Sequence, residues 1–217
     1  MTTDGIEALY PFLYESAFDL DAVMAHVERS TAEKAAEVVA LRQTVVDRDG
    51  MRIEASAHAL AQAFAAGARL LAFGNGGSST DAAAIVQLFT HPPTGPPLPA
   101  IALSADPALL TALANDVGFD VVFARQVAAF GRAGDIAFAV STSGGSDNVL
   151  RGLAEARRGG LITVGLAGYD GGGMAGSGDV DHLFVVPSAS VHRIQEAQTT
   201  LYHVLWTLTQ RALAATP

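Results

Sequence analysis

The 217-residue sequence contains no cysteine, which excludes disulfides, thiolate catalysis and cysteine-ligated metals. It contains a single lysine, Lys34, in a helix-like N-terminal region. That argues against chemistry built on an active-site lysine: a Schiff-base aldolase, a pyridoxal phosphate enzyme or a P-loop ATPase. Positive charge is scarce overall. The formal net charge is −9 and the isoelectric point about 5.0. Nucleic-acid affinity rests on clustered Lys and Arg, so no nucleic-acid partner is expected. A small phosphorylated ligand stays open, because backbone amides can hold one. No run is apolar enough to span a membrane. Met1 to Ser16 lacks the basic start and long apolar core of a signal peptide, so a cytoplasmic protein is expected.

What is present is apolar residue in quantity: half of the chain is hydrophobic. The length fits one α/β domain with some helical additions. Residues 1–19 read as a short helical or irregular arm. From Leu20 to Val46 apolar residues recur at helical spacing, with Asp19 as N-cap. Asp47-Arg48-Asp49-Gly50 reads as a break, and Met51 to Ala66 as a second helix stopped at Gly67. The long apolar stripe of these helices fits subunit packing and packing on the chain's own domain equally. Residues 1–66 thus read as a helical arm with oligomerisation helices, and 67–217 as the ligand-binding unit.

Alternation then begins. Strands are expected at 69–73, 99–103, 135–140, 161–166 and 182–186. Helices are expected at 79–89, 106–114, 118–130, 147–158 and 189–213. Strands separated by helices predict a parallel sheet covered on both faces. His91 to Pro99 carries five prolines and reads as a stiff, non-helical connection. Gly168 to Asp179, with six glycines, reads as a surface turn or mobile loop.

Two glycine- and serine-rich turns stand out. Gly74-Asn75-Gly76-Gly77-Ser78-Ser79 follows the first strand, and Ser141-Thr142-Ser143-Gly144-Gly145-Ser146 follows the third, each just before a helix. A helix N-terminus carries unpaired N–H groups and partial positive charge. Glycines let the backbone approach a ligand, and hydroxyls donate to anionic oxygens. One such turn is ordinarily a capped connection. Two at the C-terminal edge of one sheet indicate a seat for a phosphate or a polyhydroxyl compound.

Generic motifs fit poorly. The dinucleotide pattern G-x-G-x-x-G has serine at position 79, and no acid follows Asp81 until Asp106. No G-x-S-x-G elbow is present. Six histidines form neither H-x-x-x-H nor H-x-H. His192 and His203 lie eleven residues apart, close to three turns at about 100° per residue, so they share a side of the last helix. Gln195, Thr199 and Gln210 fall near that side. Gln195 and His203 read as site wall, Gln210 as solvent face.

Four stretches in order, Gly74 to Ser78, Ala114 to Phe119, Ser141 to Ser146 and Arg193-Ile194-Gln195-Glu196, resemble the SIS (sugar isomerase) domain family, with Tyr169 to Ala175 matching a further loop. The branch most resembled is phosphoheptose isomerase, which interconverts sedoheptulose 7-phosphate and a heptose 7-phosphate. The resemblance covers roughly residues 20 to 213. It implies a flavodoxin-like three-layer α/β/α sandwich with a five-stranded parallel sheet, forming a homotetramer or dimer with sites at subunit contacts. It further implies that Asn75, Gly76, Gly77 and Ser78 meet the sugar and that Asn115 and Asp116 reach its hydroxyls. Ser141, Thr142, Ser143 and Ser146 would hold the phosphate. Gln195 and His203 would line the reacting end, and in some members they help bind zinc.

The departures concern catalysis. Where the isomerases carry a histidine and, one turn later, the glutamate base, this chain has Ala84 and Leu88, and neither can move a proton or bind zinc. The aspartate that usually precedes Arg-Ile-Gln-Glu is His192. No metal or other cofactor is expected. Two functions follow. One is a sugar-phosphate-binding protein without the standard reaction, acting as a sensor, regulator or partner of another protein. The other is a divergent aldose–ketose isomerase using His203 with His192.

Overall fold

Leu70–Phe73 (β1) is a run of four buried residues, too short and too uniformly apolar for anything but a central strand. The computed structural model describes residues 20–215, so the arm expected at 1–19 lies outside the described residues. In chain order follow α1 (Leu20–Ala65), β1, α2 (Gly77–Thr90), β2 (Ala100–Ala102), α3 (Pro107–Asp116), a 3₁₀ turn (Phe119–Val121), α4 (Val122–Phe130) and β3 (Ile136–Val140). The chain continues through α5 (Asp147–Arg158), β4 (Ile162–Gly168), α6 (Gly172–Gly176), β5 (His182–Val186) and α7 (Val191–Ala215). By their contacts, residues 1–37 and 38–217 form separate compact units. In the first, Leu20, Val23, Met24 and Val27 of α1 are exposed. The second holds the rest of α1 and the sheet.

All five strands pair in parallel, in the order β2-β1-β3-β4-β5. Alternate residues face opposite sides. Leu70, Ala72, Ile136, Phe138, Val164, Leu166 and Phe184 join a core with α1, α2 and α7. Leu71, Phe73, Ala137, Ala139 and Ala167 join a second core with α4 and α5. Phe73, Phe89, Phe123, Phe138 and Phe184 are fully buried, each contributing on the order of 2–3 kcal/mol through its apolar surface. This is the expected three-layer sandwich. The chain leaves β1 toward β2, then returns to place β3 on β1's other side, which sets a topological switch point between β1 and β3.

Two expectations are corrected. The break at Asp47 to Gly50 does not occur, because α1 runs unbroken from Leu20 to Ala65. One helical glycine costs only about 1 kcal/mol. Against it, buried Asp49 holds Arg48 at 2.6 Å and Arg52 at 2.7 Å. These arginines also donate to the carbonyls of Val185 (2.5 Å) and Leu183 (2.9 Å). The helix expected at 118–130 starts as a 3₁₀ turn, since Gly118 has φ 134. The glycine stretch 168–179 lies largely at the surface, as expected, but carries local structure. It contains α6, buries Gly168, Gly171 and Met174, and sends the Met174 N–H to the Gly144 carbonyl at 2.9 Å. The proline stretch is non-helical, as expected, with the Leu98 N–H bonded to the Phe89 carbonyl at 2.8 Å.

Candidate functional site

The turn after β1 is built on close backbone approach. A Cβ at Gly74 would lie 2.6 Å from the Val140 carbonyl and 2.7 Å from that of Ser78, so only glycine fits. Gly76, at φ 54, is the N-cap of α2 and supplies no side-chain cap. Ser78 is buried in the first helical turn, while Ser79 bonds Ser104 beyond β2, oxygen to oxygen at 2.6 Å.

The turn after β3 is braced from inside and below. Buried Ser141 accepts the Gly144 N–H at 3.0 Å, and Ser143 accepts that of Gly145 at 3.2 Å. Gln198 of α7, fully buried, donates to the Ser141 carbonyl at 3.1 Å. Gly144 (φ 65) packs so tightly on the Gly171 carbonyl that no Cβ fits. Ser146 is the N-cap of α5 but makes no capping bond, so its hydroxyl and the helix N-terminus are available to a ligand. By contrast α3, away from the switch point, is capped by Asp106 through the Ala108 and Leu109 N–H groups.

One side-chain pair ties the two turns together. The Asn75 amide donates to Asn148 at 2.7 Å, and the Asn148 amide donates back at 2.9 Å. Gln195 reaches over Gly77, where the end of its side chain fills the space a Cβ would take, and donates to Asp81 Oδ2 at 3.4 Å. Burial pushes the Asp81 carboxyl above its ordinary 3.8, opposed by the Gln195 hydrogen bond. Burial raises the Tyr202 phenol as well, opposed by a hydrogen bond with Thr199 and reinforced by the Asp81 charge. His203 is exposed and stacks on Tyr202, with ring centroids 4.9 Å apart. Its Nδ1 contacts the Thr199 carbonyl at 2.8 Å. A carbonyl only accepts, so Nδ1 carries the proton and Nε2 is left for a ligand.

The structure thus gathers Asn75, Gly76, Gly77, Ser78, Ser141, Thr142, Ser143, Ser146 and Gln195 in or beside the two turns. Asn115 and Asp116 lie exposed on the last turn of α3, hydrogen-bonded to each other at 2.8 Å. His192 is exposed in the first turn of α7. Gln210 is corrected: it is buried and donates to the Pro96 carbonyl at 2.9 Å, so it anchors the proline stretch rather than facing solvent. Ala84 and Leu88 pack against the first core. The site does not fit the zinc of some family members. Gln195 Oε1 and His203 Nε2 are two donors of the usual four. Among the described residues no group of three or more His, Asp or Glu could hold a metal.

Sequence reasoning missed Asp81, Asn148, Tyr202 and Ser104. Asp81 and Asn148 each fall in the first turns of a helix after a glycine–serine turn, and that position was the available signal.

A five-stranded parallel sheet with two uncapped helix N-termini at its switch point defines a doubly wound α/β protein, and the SIS domain pattern matches residues 35–168. The chain belongs to the SIS domain family. It is 45% identical over 166 residues to the phosphoheptose isomerase of Geobacter sulfurreducens, covering 75% of this chain and 86% of that one. It is 40% identical over 187 residues to that of Nitratidesulfovibrio vulgaris, covering 85% and 89%. The solved phosphoheptose isomerase of Neisseria gonorrhoeae superimposes with a TM-score of 0.79 at 34% identity, covering 85% of this chain and 99% of that one.

Proposed function

We propose that this chain binds a sugar phosphate at the β1/β3 switch point, and that the family's histidine–glutamate route of isomerisation is closed in it. The observation that carries this reading is the Asn75–Asn148 pair, which fixes two uncapped helix N-termini side by side. Thr142, Ser143 and Ser146 supply hydroxyls for the phosphate, and Gly76 and Gly77 bring the backbone to the sugar. The relatives' names support the ligand class. Ala84 and Leu88, partly buried against the core and without a titratable group, support the closed route. Sedoheptulose 7-phosphate is the first ligand to test, with a regulatory protein partner as a corollary of binding without the standard reaction.

A divergent aldose–ketose isomerase is the second reading, favoured by the unengaged Nε2 of His203. Self-association as a dimer or tetramer is supported by Val39 and Val46, which leave 62% and 53% of their surfaces exposed on α1. A cytoplasmic setting fits a phosphorylated sugar.

Isothermal titration with sedoheptulose 7-phosphate tests the reading. Saturable binding that Ser143→Ala weakens at least tenfold is expected. No binding of this or other ketose phosphates overturns it.

A further inference from the structure

We propose that Asp81 is a general base of this site, taking the place that the apolar residues 84 and 88 leave empty. The inference rests on the sugar-phosphate reading. It concerns what the bound sugar undergoes.

The geometry selects Asp81 over the imidazoles. Its carboxylate sits one helical turn before Ala84, half-buried between α2 and α7, and Gln195 links it to the glycine turn at Gly77. The Gln195 amide donates to one oxygen, while among the described residues the other carboxylate oxygen accepts no hydrogen bond. The neighbouring phenol of Tyr202 is buried. Among the described residues Asp81 is the carboxyl that burial holds above its ordinary value, and a base is stronger for that. His192, by contrast, is exposed in the first turn of α7 with no partner that would orient it.

The step balances within the site. Asp81 takes the proton from the hydroxyl-bearing carbon beside the sugar's carbonyl. That C–H electron pair becomes the C=C bond of an enediol, while His203 Nε2 takes the proton of the neighbouring hydroxyl and passes it to the former carbonyl oxygen. In the collapse Asp81 returns its proton to the former carbonyl carbon, and the neighbouring oxygen becomes the new carbonyl. No oxidant or metal is consumed.

The test is proton NMR of sedoheptulose 7-phosphate with the full chain in deuterated water, alongside titration of the same samples. Deuterium uptake at the carbon next to the carbonyl is expected. Asp81→Asn should slow it by about 10²–10⁴-fold with affinity changed by less than a few fold, and Asp81→Glu should restore part of the rate. A residue that only orients Gln195 would instead shift affinity and leave exchange intact, which overturns the proposal. Binding without uptake by the unaltered chain overturns it too, and leaves the binding reading standing. Absence of binding removes the reading itself. Should Asp81→Asn fail to fold, His203→Gln in the unaltered background must slow uptake, and unchanged uptake there overturns the proton relay.

Discussion

Asn75 and Asn148, 73 residues apart, exchange two amide hydrogen bonds across the switch point, with Asn148 buried. Each amide fills the other's donor and acceptor, so the two turns hold one spacing. Asn148→Ala should cost about 1–3 kcal/mol in urea unfolding and weaken sugar-phosphate binding. Asn75→Ala in the same background should add little, because the interaction is already gone. Additive losses would show that the pair does not act as a unit.

Two glycine substitutions should part company. Gly144 has φ 65 and faces the Gly171 carbonyl, so Gly144→Ala should cost about 1–3 kcal/mol from its backbone conformation alone. At Gly77 an added Cβ meets only the mobile end of Gln195. Gly77→Ala should therefore fold with nearly unchanged stability, displace Gln195 from Asp81, and lower sugar-phosphate affinity. Urea unfolding and titration measure both.

Gly50 lies inside α1 with open space where a Cβ would stand. Gly50→Ala should stabilise the protein by about 0.5–1 kcal/mol, since the native backbone already suits alanine. A loss of stability in urea unfolding would contradict the continuous helix.

His182 sits half-buried at the start of β5. Burial lowers it from its ordinary 6.5, Asp181 opposes this, and Arg52 adds to the lowering. The fold therefore favours neutral His182. Its contribution is fully present above 6.5 and is lost as pH falls through 6.5 toward the folded value. His182→Gln should flatten the fall in melting temperature between about pH 7 and pH 5.5. An unchanged slope would assign that fall to other groups.

The sheet was legible because its strands are short apolar runs bounded by glycine, proline or a charged residue, and such runs fold the same way in any α/β context. The two turns were legible for a related reason: glycine and serine at a strand end act locally. What depended on distant partners was not. Gly50 reads as a stop until Asp49 is seen to gather Arg48 and Arg52, whose other partners lie more than 130 residues away. The glycines after Gly168 read as freedom, whereas a side chain at Gly172 would strike the Ser143 carbonyl, so the turn at Gly144 rests on a bare backbone. Gln210 shares a helix face with polar neighbours, yet it meets the Pro96 carbonyl. Asp81 lies outside positions 84 and 88, where the resemblance places catalysis, and its partner Gln195 is 114 residues away.

Arg48 and Arg52 occupy the carbonyls of Leu183 and Val185, and β5 is the last strand on its side of the sheet. A foreign strand seeking to extend the sheet there would have to evict two guanidinium groups from a buried carboxylate. The opposite border, β2, offers three residues. The molecule is in this sense sealed against growth by strand addition, and the charged turn of α1 that reads as a helix breaker is what guards it from edge-to-edge aggregation.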